Sequence, residues 1–302
     1  MNHVRTNSGK AWLLAARPKT LTGAITPVLV GCALAYSDGQ LQWTPAVLCL
    51  LFACLMQVAA NFINDLFDFL KGSDREDRLG PERACAQGWI TPQAMKGGIA
   101  IVLTAAGLTG CSLLYHSWHH LPYQGWELVV IGVGCMAFAF LYTTMLSYQG
   151  WGDLLVLVFF GLVPVCGTYY VQAYTLTLNV LLAAAACGLA IDALLVVNNY
   201  RDRQQDAISG KRTLIVRYGE PFGRYLYLGT GVAAWGLTLS LTLTGKLSPG
   251  EAWVPTAYLL LHVLTWRKMM RIRSGKELNA ILGETSRNML YFGLLLSAIL
   301  VS

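Results

Sequence analysis

The chain has 302 residues, of which 55% are hydrophobic and only 13% are charged, and its mean hydropathy is +0.49. A soluble domain carries about 25% charged residues, so the composition excludes an ordinary soluble protein and indicates an all-α membrane protein. The formal net charge of +6 is not gathered in a basic soluble segment, so no nucleic-acid partner is expected.

The apolar segments predict nine transmembrane helices in one domain, residues 1–302, with the lipid bilayer as its surroundings. Residues 154–191 contain no charged side chain, which is enough chain for two spans at about 20 residues per span. Turn signals such as KLSPG (246–250) separate the segments. The predicted spans are 20–37, 46–66, 97–115, 127–146, 152–171, 176–198, 224–244, 252–266 and 288–301.

The basic residues lie almost entirely on one side of these predicted spans. Of the 22 Lys and Arg residues, all but Lys246 fall in the N-terminal arm or in the loops after spans 2, 6 and 8. Cytoplasmic loops carry an excess of Lys and Arg in membrane proteins. We therefore predict a cytoplasmic N-terminus and a C-terminus on the outer side.

A first group of acids follows the second apolar run, in NFINDLFDFLKGSDRED (61–77). Asn61, Asn64, Asp65 and Asp68 have helical spacing that places them within an arc of about 100° on one face. Asp74 follows in the loop. Charged groups at the edge of a bilayer are costly unless they meet opposite charge, so this stripe is a candidate functional site.

A second group of acids lies at the end of the sixth span, in VVNNYRDRQQD (196–206). Asn198, Asp202 and Asp206 are four residues apart and again form one stripe. Both groups contain Asn-x-x-x-Asp and lie at the predicted cytoplasmic ends of their spans. The split suggests a bundle that folds back so that the two ends face each other.

Carboxylates and carboxamides on one face suit a hard divalent cation, and Mg²⁺ is commonly bound by a few carboxylates together with substrate phosphates. Basic residues are interleaved with both groups, including Lys71 and Arg75 in the first and Arg201 and Lys211 in the second. Acids and bases together around Mg²⁺ indicate a site that holds a diphosphate.

The segments RPKTL (17–21), NDLFDFLKGSD (64–74) and NNYRDRQQDAISGKRTL (198–214) resemble the UbiA superfamily of intramembrane prenyltransferases. Within it, the form of both motifs is similar to the branch that acts on 1,4-dihydroxy-2-naphthoate. The resemblance covers essentially the whole chain and implies a UbiA-type helical bundle in a bacterial inner membrane, with an active site that faces the cytoplasm.

The resemblance implies a reaction and a set of residue roles. A polyprenyl group would pass from polyprenyl diphosphate to an aromatic acid, with loss of CO₂ to give demethylmenaquinol in menaquinone biosynthesis. The implied catalytic residues are Asp65, Asp68, Asp202 and Asp206, which with Asp74 would hold Mg²⁺. The implied diphosphate-binding residues are Asn64, Asn198, Arg17, Lys19, Lys71, Arg201 and Lys211.

One segment departs from the branch, whose loop after the fourth span is usually longer and contains Pro and Arg. Here YTTMLSYQGWGD (142–153) is short and has no basic residue. Three alternatives stay open from the sequence: a UbiA-type enzyme acting on 4-hydroxybenzoate, a Mg²⁺-dependent CDP-alcohol phosphotransferase, and a cation transporter. The phosphotransferase family packs its acids into one continuous motif, and a transporter would place them mid-span, so prenyl transfer is favoured.

Overall fold

The computed structural model describes residues 4–72 and 79–302, apart from the side chain of Ala252, and in this part of the chain it has helices and no strands. The predicted all-α class is therefore confirmed. The predicted metal ligand Asp74 lies outside the described residues. The helices are α1 (Gly9–Ala16), α2 (Thr22–Ser37), α3 (Trp43–Leu70), α4 (Pro92–Ser117), α5 (Trp126–Thr144), α6 (Gly152–Val156), α7 (Val163–Ala173), α8 (Leu178–Ile208), α9 (Leu214–Leu243), α10 (Thr256–Ile272) and α11 (Leu278–Val301).

The predicted count of nine spans is approximate. Each predicted segment overlaps a helix or, for 152–171, the interrupted helix α6–α7. By length and composition, however, seven helical stretches of the described part are long and apolar enough to cross a membrane, and α10 and α11 are not among them. α10 has 17 residues, and both helices carry polar groups that contact each other, such as Lys268 Nζ and Glu284 Oε1 at 2.7 Å.

The fifth predicted span is not a continuous α-helix. A π-helical segment, Leu157–Leu162, joins α6 to α7 just before Pro164, whose missing N–H removes one helical hydrogen bond. This segment packs closely on α8, because a Cβ built at Gly161 would lie 2.5 Å from the Cα of Gly188. Only glycine fits at that contact.

α8 is the central helix of the bundle. Of its most apolar stretch 67% is buried inside the protein, against 17% for α5, whose outer face is left to lipid. Thr177 begins α8 by accepting the backbone N–H of Val180. α11 packs against both α2 and α8 and so closes the bundle. The ends of α3 and α8 at Leu70 and Ile208 define what we call the site end of the bundle.

Candidate active site

The first group of acids occupies the last turns of α3, as predicted, and one of its amides fixes the N-terminal segment. Asn61 is buried, and its Nδ2 donates to the carbonyl of Ala16 and to Thr20 Oγ1, both at 2.9 Å. Arg17, between these two residues, has a left-handed backbone (φ 51°) where α1 ends. The RPKTL segment is therefore held against the acidic stripe of α3.

Asp65 is held by the loop that follows α3. Its carboxylate accepts the backbone N–H of Ala84 at Oδ2 and of Cys85 at Oδ1, each at 2.8 Å, and the residue is 1% exposed. A carboxylate that accepts two backbone N–H groups is a strong anchor for a loop. Both carboxylate oxygens of Asp65 therefore have partners in this loop, and its role as a metal ligand stays a prediction.

Asp68 has a cationic partner that the sequence analysis did not single out. Arg83 Nη2 donates to Asp68 Oδ2 at 2.7 Å, and both side chains are buried. In the sequence, Arg83 is one of several basic residues in the loop after the second predicted span. No pattern distinguishes it from the other cations of its loop, so its role appears only in the folded chain.

The second group of acids lies on the last turns of α8 and is also paired with cations. Asp202 accepts two hydrogen bonds from its neighbour Arg201, from Nε at 2.7 Å and from Nη2 at 2.6 Å. The remaining Arg201 nitrogen, Nη1, donates to Asn279 Oδ1 at 2.8 Å, and Asn279 Nδ2 donates to the carbonyl of Leu79 at 2.8 Å. Asn279, which sequence reasoning missed, thus links α8 and α11 to the loop after α3.

The lysines of the two motifs meet at the site end. Lys71 Nζ donates to the carbonyl of Thr144 at 2.8 Å and lies 4.3 Å from the centre of the Tyr148 ring. Lys211 Nζ lies 5.4 Å from the same ring centre and 3.6 Å from Asp206 Oδ1. The expectation that the two helix ends face each other is met at this ring.

An apolar cavity of about 390 Å³ extends between the helices, and Asn64 and Asn198 of the two motifs line it. The polar residues that line it include Arg17, Asn64, Asn198, Tyr142 and Thr143. Thr143 also donates a hydrogen bond to Asn64. The rest of the lining is mostly apolar and comes from α2, α3, α4, α5, α7, α8 and the π-helical segment, including Val28, Ala53, Gly132, Phe160 and Leu195. A site of this shape can hold a charged head group at one end and an apolar tail behind it.

The match to a family model decides the identity of this fold and site. The model of the UbiA prenyltransferase family matches residues 24–296, which include both motifs and all helices from α3 to α10. The chain belongs to the UbiA prenyltransferase family. Family membership excludes the CDP-alcohol phosphotransferase and the cation transporter that the sequence left open.

Relatives with curated names give the same family assignment. The chain is 42% identical to the 1,4-dihydroxy-2-naphthoate octaprenyltransferase of Escherichia coli over 70% of this chain and 69% of that protein. It is 35% identical to the protein of the same name from Mycobacterium tuberculosis over 94% of both chains. A solved UbiA homologue from Archaeoglobus fulgidus, bound to GPP and Mg²⁺, superposes with a TM-score of 0.67 at 13% identity and covers 97% of this chain and 100% of that one. At that identity the structural likeness shows the UbiA fold alone.

The metal-ligand chemistry of this UbiA site can be assessed from its own residues. Among residues 4–72 and 79–302, no three His, Cys, Asp or Glu side chains already form a metal-binding group. Asp68, Asp202 and Asp206 are each paired with a cation instead. The donors that face the site are carboxylate and carboxamide oxygens, which are the ligands of a hard divalent ion, so the residue types fit Mg²⁺.

Two of the predicted diphosphate-binding residues, Lys19 and Arg201, do not present a free cation to the cavity. Lys19 is exposed and does not line the cavity. The Arg201 side chain is 2% exposed, and its guanidinium is hydrogen-bonded to Asp202 and Asn279. In contrast, Arg17, Asn64 and Asn198 line the cavity, and Lys71 and Lys211 lie against the Tyr148 ring at the site end.

Proposed function

We propose that this UbiA family member transfers a polyprenyl group from polyprenyl diphosphate to 1,4-dihydroxy-2-naphthoate. The observation that supports this best is the placement of two acid-and-lysine groups at one end of an apolar cavity inside a helical bundle. A diphosphate with a long apolar tail matches both parts of that site. The curated names of the relatives favour the naphthoate as acceptor.

Mg²⁺ is the cofactor that this donor set suits. We assign Asp68, Asp202 and Asp206 as the carboxylates that would hold it, with Asn64 and Asn198 in support, and Asp74 keeps its predicted role as a further ligand. When bound, Mg²⁺ supplies positive charge to the diphosphate as the allylic C–O bond breaks. Asp65 is assigned to the loop at Ala84 and Cys85, which keeps the first motif in shape.

The cations of the site act on the leaving group. Lys71 and Lys211 lie at the site end and can neutralise the diphosphate oxygens that receive the electron pair of the broken C–O bond. Arg17 also lines the cavity, on the segment that Asn61 fixes. Arg201 orients Asp202 through two hydrogen bonds, so we treat it as a positioning residue.

The cavity protects the allylic cation that is left behind. Most of the side chains around it are apolar and cannot trap the cation, and the buried bundle excludes water from it. The electron-rich ring of the naphthoate then attacks through the carbon that bears the carboxyl group. Loss of that carboxylate as CO₂ returns its electron pair to the ring and restores aromaticity, so the step needs no redox cofactor and yields demethylmenaquinol.

The apolar helices and the distribution of charge support a cellular location for the protein. The apolar helices make it a multi-pass membrane protein, and its relatives in bacteria support placement in the bacterial inner membrane. The charge distribution supports a cytoplasmic site end, with a cytoplasmic N-terminus and an outer C-terminus. All the assigned residues that the structure describes come from one bundle, which supports a single domain over 1–302.

The acceptor can be identified directly. Membranes that contain the protein are incubated with Mg²⁺, a labelled polyprenyl diphosphate and either 1,4-dihydroxy-2-naphthoate or 4-hydroxybenzoate, each with a labelled carboxyl group. We expect a prenylated lipid from the naphthoate, with one CO₂ released per product, and no product from 4-hydroxybenzoate. Prenylated 4-hydroxybenzoate that keeps its carboxyl group, with the naphthoate ignored, would overturn the acceptor but not prenyl transfer.

A further inference from the structure

The short loop between α5 and α6 is fixed against the connection between α8 and α9. The backbone N–H of Arg212 donates to the carbonyl of Tyr148 at 2.9 Å, and Arg217 Nη2 donates to the carbonyl of Gln149 at 2.6 Å. Gly150 has φ +83°, and a Cβ there would lie 2.5 Å from the carbonyl oxygen of Arg212. A larger residue at Gly150 would clash with the Arg212 carbonyl and push the loop away. The close approach at Gly150 and the hydrogen bonds on either side of it therefore fix the position of Tyr148.

The ring of Tyr148 is the point where the two motifs share a partner. Lys71 comes from the end of α3 and Lys211 from the connection that follows α8, and each places its ammonium group on this ring, at 4.3 Å and 5.4 Å from its centre. Two ammonium groups that share one ring repel each other. The electron-rich face of the ring offsets part of that repulsion, since a cation within about 6 Å of an aromatic centroid is attracted to it.

We propose that Tyr148 is a positioning residue for the diphosphate, which holds Lys71 and Lys211 side by side so that both ammonium groups are in place when the prenyl diphosphate arrives. This inference rests on the proposed function, because it assumes that the substrate carries a diphosphate. The loop from 145 to 151 contains no cation of its own. It contributes to diphosphate binding through the ring it presents to the lysines of the two motifs.

The physical reason is the flexibility of lysine. Its ammonium group sits on a four-carbon stem with many rotamers, and ordering such a side chain on binding lowers affinity. Lys71 is restrained by the carbonyl of Thr144 and Lys211 by Asp206, and the Tyr148 ring attracts both ammonium groups. Much of this ordering is then complete before the diphosphate binds.

The test compares Tyr148→Leu and Tyr148→Met, which remove the ring, with Tyr148→Phe, which keeps it. Full-length proteins in membranes are assayed for KM of the prenyl diphosphate, KM of the naphthoate, kcat, and inhibition by inorganic pyrophosphate. Tyr218→Leu is the matched control, because Tyr218 is an exposed aromatic residue near the same end of the bundle, with its ring tilted against Phe222 at 5.0 Å.

We expect the ring-removing variants to raise KM for the prenyl diphosphate and the inhibition constant of pyrophosphate together, by about fivefold or more. Tyr148→Phe and Tyr218→Leu should stay within about twofold of the wild type. KM for the naphthoate and kcat should change little. In a background that carries Lys71→Met and Lys211→Met, removal of the ring should have no further effect on KM, because the groups it positions are gone.

Three outcomes would overturn the proposal: unchanged KM and pyrophosphate inhibition in folded Tyr148→Leu or Tyr148→Met, equal loss in Tyr148→Phe, or an undiminished effect of ring removal without the two lysines. Asp202→Asn is assayed alongside to separate this result from the proposed function. If Asp202→Asn keeps full activity, the carboxylates that the proposed function assigns to Mg²⁺ are misassigned. If Asp202→Asn is inactive while Tyr148→Leu behaves as the wild type, only the positioning role is wrong.

Discussion

Arg83 Nη2 lies 2.7 Å from Asp68 Oδ2 in the interior of the site end, so a carboxylate that we assign to Mg²⁺ is already neutralised by a buried guanidinium. Asp202 has the same relationship to Arg201 on the other motif. Such pairing explains how acids can be tolerated beside an apolar cavity, since a buried charge without a partner is very costly. The pairing also means that substitution of either acid affects the stability of the protein as well as its turnover.

We predict that Asp68→Asn and Asp202→Asn each lower turnover by at least about 100-fold, because each removes negative charge that holds Mg²⁺ against the diphosphate. Neither motif should compensate for the other, since both act on one diphosphate. Turnover is measured as prenyl transfer per folded protein in membranes. Each variant also leaves a buried guanidinium, of Arg83 or of Arg201, beside a neutral amide and should reduce thermal stability, which is why turnover is expressed per folded protein.

The matched control for these two variants is Asp38→Asn. Asp38 is also an acid in an ion pair, with Lys246, but it follows α2 at the opposite end of the bundle from the site. We expect it to keep wild-type turnover. Near wild-type activity in Asp68→Asn or Asp202→Asn at ordinary Mg²⁺ would show that the carboxylates are misassigned.

A different result is predicted for Asp65→Asn. An amide has one acceptor oxygen, so the substitution leaves one of the N–H groups of Ala84 and Cys85 without its partner and turns an NH₂ donor toward it. Hydrogen bonds to charged groups contribute about 1.5–3 kcal/mol, so we expect a clear drop in unfolding temperature. The Mg²⁺ concentration for half-maximal activity of the folded fraction should not change. A stable variant that needs more Mg²⁺ for half-maximal activity would show that Asp65 is a metal ligand.

The acidic stripes could be predicted from sequence because they depend on helical periodicity. Asn64 and Asp68 on α3, and Asn198, Asp202 and Asp206 on α8, lie where their spacing places them. The partners of these residues could not be predicted. Asn279 contacts Arg201 across 78 residues of sequence, and Asp65 is bound by backbone groups of a loop whose side chains give no signal.

The number of spans was also harder to predict, because it depends on contacts between helices that are distant in the sequence. Hydropathy treats a polar residue as exposed to lipid, whereas Asn288 Nδ2 donates to Thr265 Oγ1 at 2.9 Å between α11 and α10 and is buried there. Polar groups that satisfy one another inside a bundle lower the apolar score of a helix without preventing its burial. The helix α1 was missed because, at eight residues, it is too short for the spans that the sequence analysis sought.

The end of the bundle opposite the site should show a pH-dependent contribution to stability. Asp38 accepts hydrogen bonds from Lys246 at 2.5 Å and from Tyr169 at 2.7 Å, which tie α2, α7 and α9 together. Partial burial opposes ionisation, but the hydrogen bonds from Lys246 and Tyr169 outweigh it and hold the pKa of Asp38 below its ordinary value. The folded protein therefore favours the ionised form more than the unfolded chain does.

Because the folded pKa is the lower one, this contribution is present above the unfolded pKa of about 4 and is lost as the pH falls through the folded pKa. The Asp38 side chain is 32% exposed, so solvent limits the effect to about 1 kcal/mol or less. We expect the wild type to unfold at a slightly higher temperature than Asp38→Asn at pH 7 and the difference to shrink as the pH falls below about 4. A constant difference across this range would mean that the ion pair is not its source.

The predicted topology can be tested with single cysteines at Gly210 and Ser248, in a background that lacks the native ones. Gly210 lies in the basic connection between α8 and α9, and Ser248 lies near Lys246 at the other end of α9. A reagent that does not cross the membrane should label position 248 in intact cells and position 210 only after lysis. Labelling of position 210 from outside would reverse the orientation and place the site end on the outer side.

The last prediction concerns the apolar tail of the donor. Gly132 and Val133 are neighbours on α5, but Gly132 lines the cavity while Val133 is 62% exposed on the outer face of the helix. Gly132 lies eleven residues before Thr143, so its depth from the site end is about 16 Å at 1.5 Å per residue. A Cβ at Gly132 meets no atom within 4 Å, so a large side chain there would enter the cavity.

We therefore expect Gly132→Trp to impair transfer from a long-chain prenyl diphosphate far more than transfer from a short donor such as geranyl diphosphate, whose tail ends before that depth. Val133→Trp adds the same bulk one residue away, on the face toward lipid. We expect its kcat/KM for both donors to match that of the wild type. The ratio of kcat/KM for the two donors is the measurement, because it cancels differences in expression and folding. If Gly132→Trp and Val133→Trp give the same ratio, the tail does not occupy this cavity and must leave the site by another route.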